Sequence, residues 1–258
     1  MNQHTAPPPT ATQAFSTWLE TPAGQYLLAW EQSFLDQQVA DLFGYHALQI
    51  GPLELDALRM NRMPHRWHAN LGGSGAGDLD LDAEDLPFPA QSLDLVVLTH
   101  VLEFSADPHQ VIREVERVLI PEGRVIVLAL NPYSLWGLRQ RMLRGLRPNY
   151  LPDEGEFLSL PRLKDWMKLL SLAPERPCYG CYIPPVRQEA WIERWRWMDR
   201  AGDRWWPMAG SVYALSAIKR VRGMRLIGAL TKTNKPQLVV PARAANRNLR
   251  EEHKHDEI

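Results

Sequence analysis

His100 stands directly after the apolar run Leu93-Asp-Leu-Val-Val-Leu-Thr99, and Asn131-Pro132-Tyr133 follows a second run, Arg124-Val-Ile-Val-Leu-Ala-Leu130. An imidazole titrates near neutral pH, so at such a turn His100 could accept a proton from a nucleophile, with Tyr133 contacting the molecule that carries it. Ile50-Gly51-Pro52 and Asp82-Ala83 close two further short runs. In an open α/β sheet the loops beyond the carboxyl ends of the strands gather helix N-termini and unpaired backbone N–H groups, and ligands bind there. Gly51, Asp82, Ala83 and Thr99 are therefore expected to meet at one pocket.

Three other motifs carry less chemistry. Cys178-Tyr-Gly-Cys181 has the spacing of a metal or redox pair, but a zinc site takes about four ligands and the chain has no third cysteine. A redox pair opens a helix after a strand, whereas this one leads into Ile183-Pro-Pro185, so no metal or redox centre is expected. Gly73-Ser-Gly75-Ala-Gly77 spells a glycine-rich turn, yet it runs into Asp78-Leu-Asp-Leu-Asp82 instead of opening a helix and reads as a loop. Trp191, Trp195, Trp197, Trp205 and Trp206 are interleaved with Arg194, Arg196, Arg200 and Arg204. Because Trp191, Trp195 and Met198 mark one helical face, a helix packed over the substrate side is expected, burying Trp191 and Trp195 near His100 and Tyr133. The alternative is a membrane-surface or nucleic-acid face.

Positioning these groups takes alternating strands and helices. Thr21-Pro22 reads as an N-cap with proline at the first helical position, and Tyr26, Leu27, Trp30, Phe34 and Leu35 recur at helical spacing, giving a helix to Leu42. Residues 46–50 form a strand stopped by Gly51-Pro52, after which Leu53, Leu55, Leu58 and Met60 predict a brief helix. Residues 93–98 are apolar on both faces, as in a central parallel strand covered on both sides. Asp107-Pro108 opens an amphipathic helix, and Pro121-Glu-Gly123 turns into the strand 124–130, completing a right-handed β–α–β unit. Leu160–Leu172 reads as a further helix and 211–218 as a further strand. The expected class is α/β: a mostly parallel twisted sheet flanked by helices, with an N-terminal helical extension acting as a lid.

Asp82-Ala-Glu-Asp-Leu-Pro-Phe88, Ser92-Leu-Asp94-Leu-Val-Val, His100-Val-Leu-Glu103, Asp107-Pro108 and Glu114-Val-Glu-Arg-Val-Leu119-Ile-Pro-Glu-Gly123 follow one another within residues 82–130. Together they resemble the class I S-adenosylmethionine-dependent methyltransferases, in their small-molecule "type 11" branch; linked motifs in order are far more specific than any one alone. The resemblance implies a Rossmann-like methyltransferase fold, S-adenosylmethionine as cofactor and methyl transfer to a small-molecule acceptor. It also implies that Asp82 accepts from the adenine amino group, that Ala83 contacts adenine through its backbone, and that His100 lies beside the methyl group, with Thr99 among the cofactor-binding residues. Asn131-Pro132-Tyr133 is similar to the N-P-P-Y element of methyltransferases acting on amide or exocyclic amine nitrogens, displaced from the fourth strand to the fifth.

The first motif departs from the family pattern. A glycine-rich turn would let the backbone approach the methionine part of the cofactor. Here Leu48-Gln-Ile-Gly51-Pro-Leu-Glu-Leu keeps only Gly51; Pro52 removes a donor and Leu53 fills space. The acid that would hold the ribose hydroxyls falls at Asn70, which hydrogen-bonds without charge assistance. Only 31 positions separate Gly51 from Asp82, too few for two helices and a strand, so the second helix is expected to shrink to a loop. Cofactor affinity is expected to be weakened or lost.

At 258 residues, with 45% hydrophobic and 23% charged content, the chain is ordinary for a globular protein, which excludes wholesale disorder and coiled coil. Lys+Arg number 29 against 30 Asp+Glu, so the surface as a whole is not built for a polyanion. The balance is uneven: residues 219–250 carry nine basic and no acidic side chains, allowing a weak contact with an anionic surface. The expected organisation is a disordered tail at 1–13, a methyltransferase-like domain at 14–228 with its core at 46–220 and a Trp-rich insertion at 186–210, and a mobile basic tail at 229–258. The polar start and scarce cysteines read as cytoplasmic, and no run is long enough to span a bilayer. Two readings of other classes stay open: a catalytically inactive binding or scaffold protein, and a nucleic-acid or anionic-membrane associated protein using the basic C-terminal region.

Overall fold

The computed structural model describes residues 11–70, 77–143, 150–151 and 155–220. Eight strands, β1 (His46–Ile50), β2 (His65–Asn70), β3 (Leu79–Asp80), β4 (Leu93–Thr99), β5 (Leu119–Leu130), β6 (Leu172–Pro174), β7 (Cys178–Gly180) and β8 (Val212–Lys219), form one sheet. The order is β3-β2-β1-β4-β5-β8-β6, with β7 also paired to β8. The first five strands are parallel, whereas β8 runs antiparallel to β5, β6 and β7. Ile50 is level with Ala69 and Leu98, Ala69 with Leu79, and Leu98 with Val127. The carboxyl ends of β1 to β5 therefore share one edge, where such sheets hold their ligands.

Both faces of the central strands are buried, and alternation sorts their side chains. Val96 and Leu98 of β4, with Val125, Val127 and Ala129 of β5, face helices α3 (Pro108–Val118) and α5 (Leu160–Leu169). Asp107 caps α3 as expected, accepting from the backbone N–H groups of His109 and Gln110 at 3.0 and 3.1 Å. Leu95, Val97, Ile126, Leu128 and Leu130 face the other way, against the hairpin of α1 (Ala11–Leu19) and α2 (Pro22–Val39). Thr21 accepts from Gly24 N–H at 3.2 Å, with Pro22 in the first turn of α2.

The N-terminal extension is thus a layer of the core and not a lid, since Leu19, Leu27, Leu35 and Val39 are completely buried. It starts at Ala11, inside the stretch expected to be a tail. The reason for its depth lies after β1, where the expected helix at 53–60 does not form. Asp56 accepts from the Leu58 N–H at 3.2 Å, a local turn that competes with helical pairing. Gln49, wholly buried in β1, donates to the Leu55 carbonyl and accepts from Ala57 N–H at 2.7 Å, stitching the turn segment to the sheet. Leu55, Ala57 and Leu58 fill core positions, and α2 covers the rest of the face. Asp36 of α2 pairs with Arg59, and Asn61 donates to the Val39 carbonyl at 2.8 Å, which fastens helix to turn. Eight positions separate β2 from β3.

Chain contacts divide the molecule into 1–221 and 222–258; the second unit, with the expected tail at 229–258, lies outside the described residues, as does most of the basic run 219–250. Its first two cations are both paired, one buried and one at the surface. Lys219 is buried and donates to the Leu119 carbonyl at 2.9 Å, and Arg220 pairs with Glu122. No helix among the described residues is long and apolar enough to cross a membrane.

If α2 is a core layer, Leu35→Ala removes a fully buried side chain and should lower stability by about 2–5 kcal/mol in chemical denaturation. A loss below about 0.5 kcal/mol, the value for an exposed position, would return the helix to a lid.

Candidate active site

At the centre of the ligand edge, β1 and β4 end against each other. Thr99 is fully buried and donates through its hydroxyl to the Ile50 carbonyl at 3.2 Å. Gly51 has φ of 136°, and a Cβ there would lie 2.2 Å from both the Thr99 carbonyl oxygen and its hydroxyl. The glycine is required, as the sequence suggests, yet the close approach it permits is taken up by the chain's own neighbouring strand. Pro52 is buried beside it and contributes no N–H.

His100, the next residue, turns the chain with φ of 53°. Its Nε2 lies 2.7 Å from Glu31 Oε1 of α2, its Nδ1 lies 3.1 Å from Glu103 Oε1, and the three side chains are wholly buried. Glu103 Oε1 also accepts from Leu130 N–H at 2.7 Å, tying the end of β5 to the loop after β4, and the Phe15 ring packs 4.8 Å from the imidazole. Carboxylates only accept, so two of them on the two ring nitrogens call for an imidazolium. Burial alone would lower the His100 pKa; the Glu31 charge, then the hydrogen bond and charge of Glu103, outweigh it and push it up to about 10. An imidazolium has no lone pair to receive a proton, so in this state His100 serves as hydrogen-bond donor to both carboxylates. Glu31 Oε2 and Glu103 Oε2 are buried without a partner, so the cluster keeps acceptor capacity at the edge.

Asn70 ends β2 half-buried and is level with Asp80. Asp82 lies two residues past β3, exposed, its carboxylate accepting from Glu84 N–H at 2.9 Å, and Ala83 is buried in the core under α3. Gly51, Asn70, Asp82, Ala83 and Thr99 are thus at the carboxyl ends of adjacent strands. Gly73 and Gly75 of the second glycine motif lie outside the described residues. Cys178 is exposed and Cys181 buried, both as free thiols. No group of three metal-ligating side chains occurs among the described residues.

Asn131, just past β5, organises the loop that follows. Its side-chain amide donates to the Met208 and Gly210 carbonyls at 2.9 and 2.8 Å, while its Oδ1 accepts from Tyr133 N–H at 3.1 Å. Tyr133 is thereby held 72% exposed and lines two cavities. One, of about 320 Å³, opens toward α4 (Leu135–Leu143) and residues 155–162. The other, of about 670 Å³, is bounded by α5, Tyr179 and the turn Pro207–Met208. Trp191 and Trp195 do not cover either: Trp191 is 44% exposed, and α6 (Glu189–Trp195) buries Ile192 instead, close to α2. The next helix, α7 (Trp197–Trp205), turns Asp199 and Gly202 inward, so the expected tryptophan stripe is broken between two short helices.

Glu31, Glu103, Gln49 and Asn131 carry most of this arrangement without having been singled out individually as site residues. Glu31 had a signal: an acid on the apolar stripe of Leu27, Leu28 and Leu35. His100→Ala leaves two buried carboxylates without their cation and should cost about 3–5 kcal/mol at pH 7. The folded-state pKa is raised, so the contribution is full below the unfolded value near about 6.5 and lost as pH rises through about 10. Urea denaturation of both proteins should show the gap narrowing from pH 7 to 10.5; a constant gap would contradict the imidazolium.

A sequence model described as a methyltransferase domain matches residues 61–127. The chain is 31% identical over 165 residues to the uncharacterized protein YafS of Escherichia coli (strain K12), covering 63% of this chain and 67% of that protein. It is 34% identical over 83 residues to the ubiquinone/menaquinone biosynthesis C-methyltransferase UbiE of Pseudoalteromonas translucida (strain TAC 125), a match spanning 32% of each. In fold it is similar to the methyltransferase crystallised with the Haloferax volcanii Trm112 activator, at 16% identity, TM-score 0.57, and 83% and 99% coverage of the two chains. With the strand order, the edge of strand-end residues and these likenesses together, the chain belongs to the class I S-adenosylmethionine-dependent methyltransferases, whose cofactor is S-adenosylmethionine.

Proposed function

We propose that the chain transfers a methyl group from S-adenosylmethionine to a small-molecule acceptor seated beside Tyr133. The observation that carries this reading is the juxtaposition at the end of β5: Tyr133 forms a wall of two cavities on the same sheet edge as Asp82, Asn70 and Thr99. The adenosine end fits the cofactor, with Asp82 to accept from the adenine amino group, Ala83 to contact the ring through its backbone, and Asn70 to meet the ribose. The methionine end fits less well, because Gly51 is closed against Thr99 and Pro52 has no N–H. Bound S-adenosylmethionine supplies an electrophilic methyl on a sulfonium. The protein's part is then chiefly proximity. Glu31, His100 and Glu103 act as positioning residues that hold the ends of β4 and β5, and Tyr133 contacts the acceptor.

The closed turn favours one other reading, a binding or scaffold protein that has kept the fold without the chemistry. Calorimetric titration separates the two. On the enzyme reading S-adenosylmethionine and S-adenosylhomocysteine both bind, roughly ten- to a hundredfold more weakly than with a charged ribose partner, and Asp82→Ala abolishes the heat while the protein stays folded. No heat with either ligand would favour the scaffold; unchanged binding in Asp82→Ala would remove the adenine assignment.

A further inference from the structure

Helix α7 and the turn after it expose their largest apolar groups. Trp197 is 58% exposed, Trp205 75% and Met208 72%, with Trp206 also exposed. Large apolar side chains scattered singly are ordinary on a surface, but four within twelve residues form a patch that asks for a partner. The inner side of the helix fixes this orientation. Asp199 accepts from Tyr182 N–H at 3.1 Å and from the Tyr26 hydroxyl, and Gly202 lies so close to Tyr182 that a Cβ would meet its ring at 2.3 Å. With Asp199 and Gly202 inward, helical geometry puts Trp197 and Arg204 on the outer side, flanked by Arg200 and Trp205.

The charges on that face favour an anionic partner. Arg200 and Arg204 are exposed and Asp199 is turned in, leaving Asp203 as the exposed acid of α7; on the preceding helix Glu193 is paired with Arg196 at 3.4 Å and Arg194 lies over the Trp191 ring. Indoles with arginines beside them suit a membrane–water interface, where the ring enters the headgroup level and the guanidinium meets lipid phosphate. The turn that follows also forms part of the larger cavity: Pro207 and Met208 line it together with Tyr133, Lys164, Lys168 and Arg176.

We propose that the Trp197–Met208 face docks on an anionic lipid surface and so presents the mouth of the 670 Å³ cavity to the bilayer. The docking needs no cofactor, so its failure is distinct from a failure of the transfer reading. The test uses the full chain with vesicles of phosphatidylcholine alone and of phosphatidylcholine with phosphatidylglycerol, read by co-sedimentation and by quenching of tryptophan emission with brominated lipid. Binding to the anionic vesicles with quenching is expected, and Trp197→Ser with Trp205→Ser should weaken partition by roughly tenfold or more at unchanged melting temperature. Binding that survives the double substitution would move the contact to another part of the chain and overturn the proposal. Binding to an oligonucleotide without any to vesicles would overturn it in favour of a nucleic-acid face.

Discussion

A histidine held out of water by hydrogen bonds to two glutamates fixes the ligand edge of this sheet. His100 belongs to the loop after β4, Glu103 to the same loop, and Glu31 to a helix that comes from the far end of the sequence. Burying any of the three alone would be costly, and removing one partner strands the others, so the cluster makes the position of α2 and the ends of β4 and β5 depend on one another. Glu103 extends the linkage through Leu130 N–H into β5, and Asn131 carries it on to the turn before β8. The loops beyond β4 and β5 are therefore built on a charged centre in a place where the two long apolar faces of the sheet meet them.

The same helix covers the face of the sheet beside the end of β1. When the segment after β1 folds as turns stitched by Gln49, the face it would have covered is filled by α2, and Leu55 and Leu58 complete the layer. Pro52 contributes no backbone donor at this edge, and the Gly51 N–H is already taken by the Ala69 carbonyl at 3.1 Å.

Much of the fold was legible because its signals are local. Asp107-Pro108, Thr21-Pro22 and the apolar runs of β1, β4 and β5 each name an element through chemistry confined to a few neighbours, and the linked motifs of 82–130 named the family. The turn segment at 53–60 was misleading since its leucines have helical spacing while Asp56 and Gln49 satisfy the backbone in another way. The Trp-rich stretch misled for a related reason: one periodicity was read across Arg196, where two helices meet, and the polar Asp199 turned out to be the buried side. The pairing of His100 with Glu31 was not legible because the two lie 69 positions apart. Long-range ion pairs leave only a faint trace in a sequence, here one acid on an apolar helical stripe.

The charge state of His100 is the point on which this account rests most directly, and nitrogen-15 NMR of the imidazole in the full chain measures it. At pH 7.5 both ring nitrogens should carry protons, with the transition to a neutral ring only near about 10. A neutral tautomer at pH 7.5, with one nitrogen free to accept, would contradict the buried imidazolium and restore His100 as a candidate base.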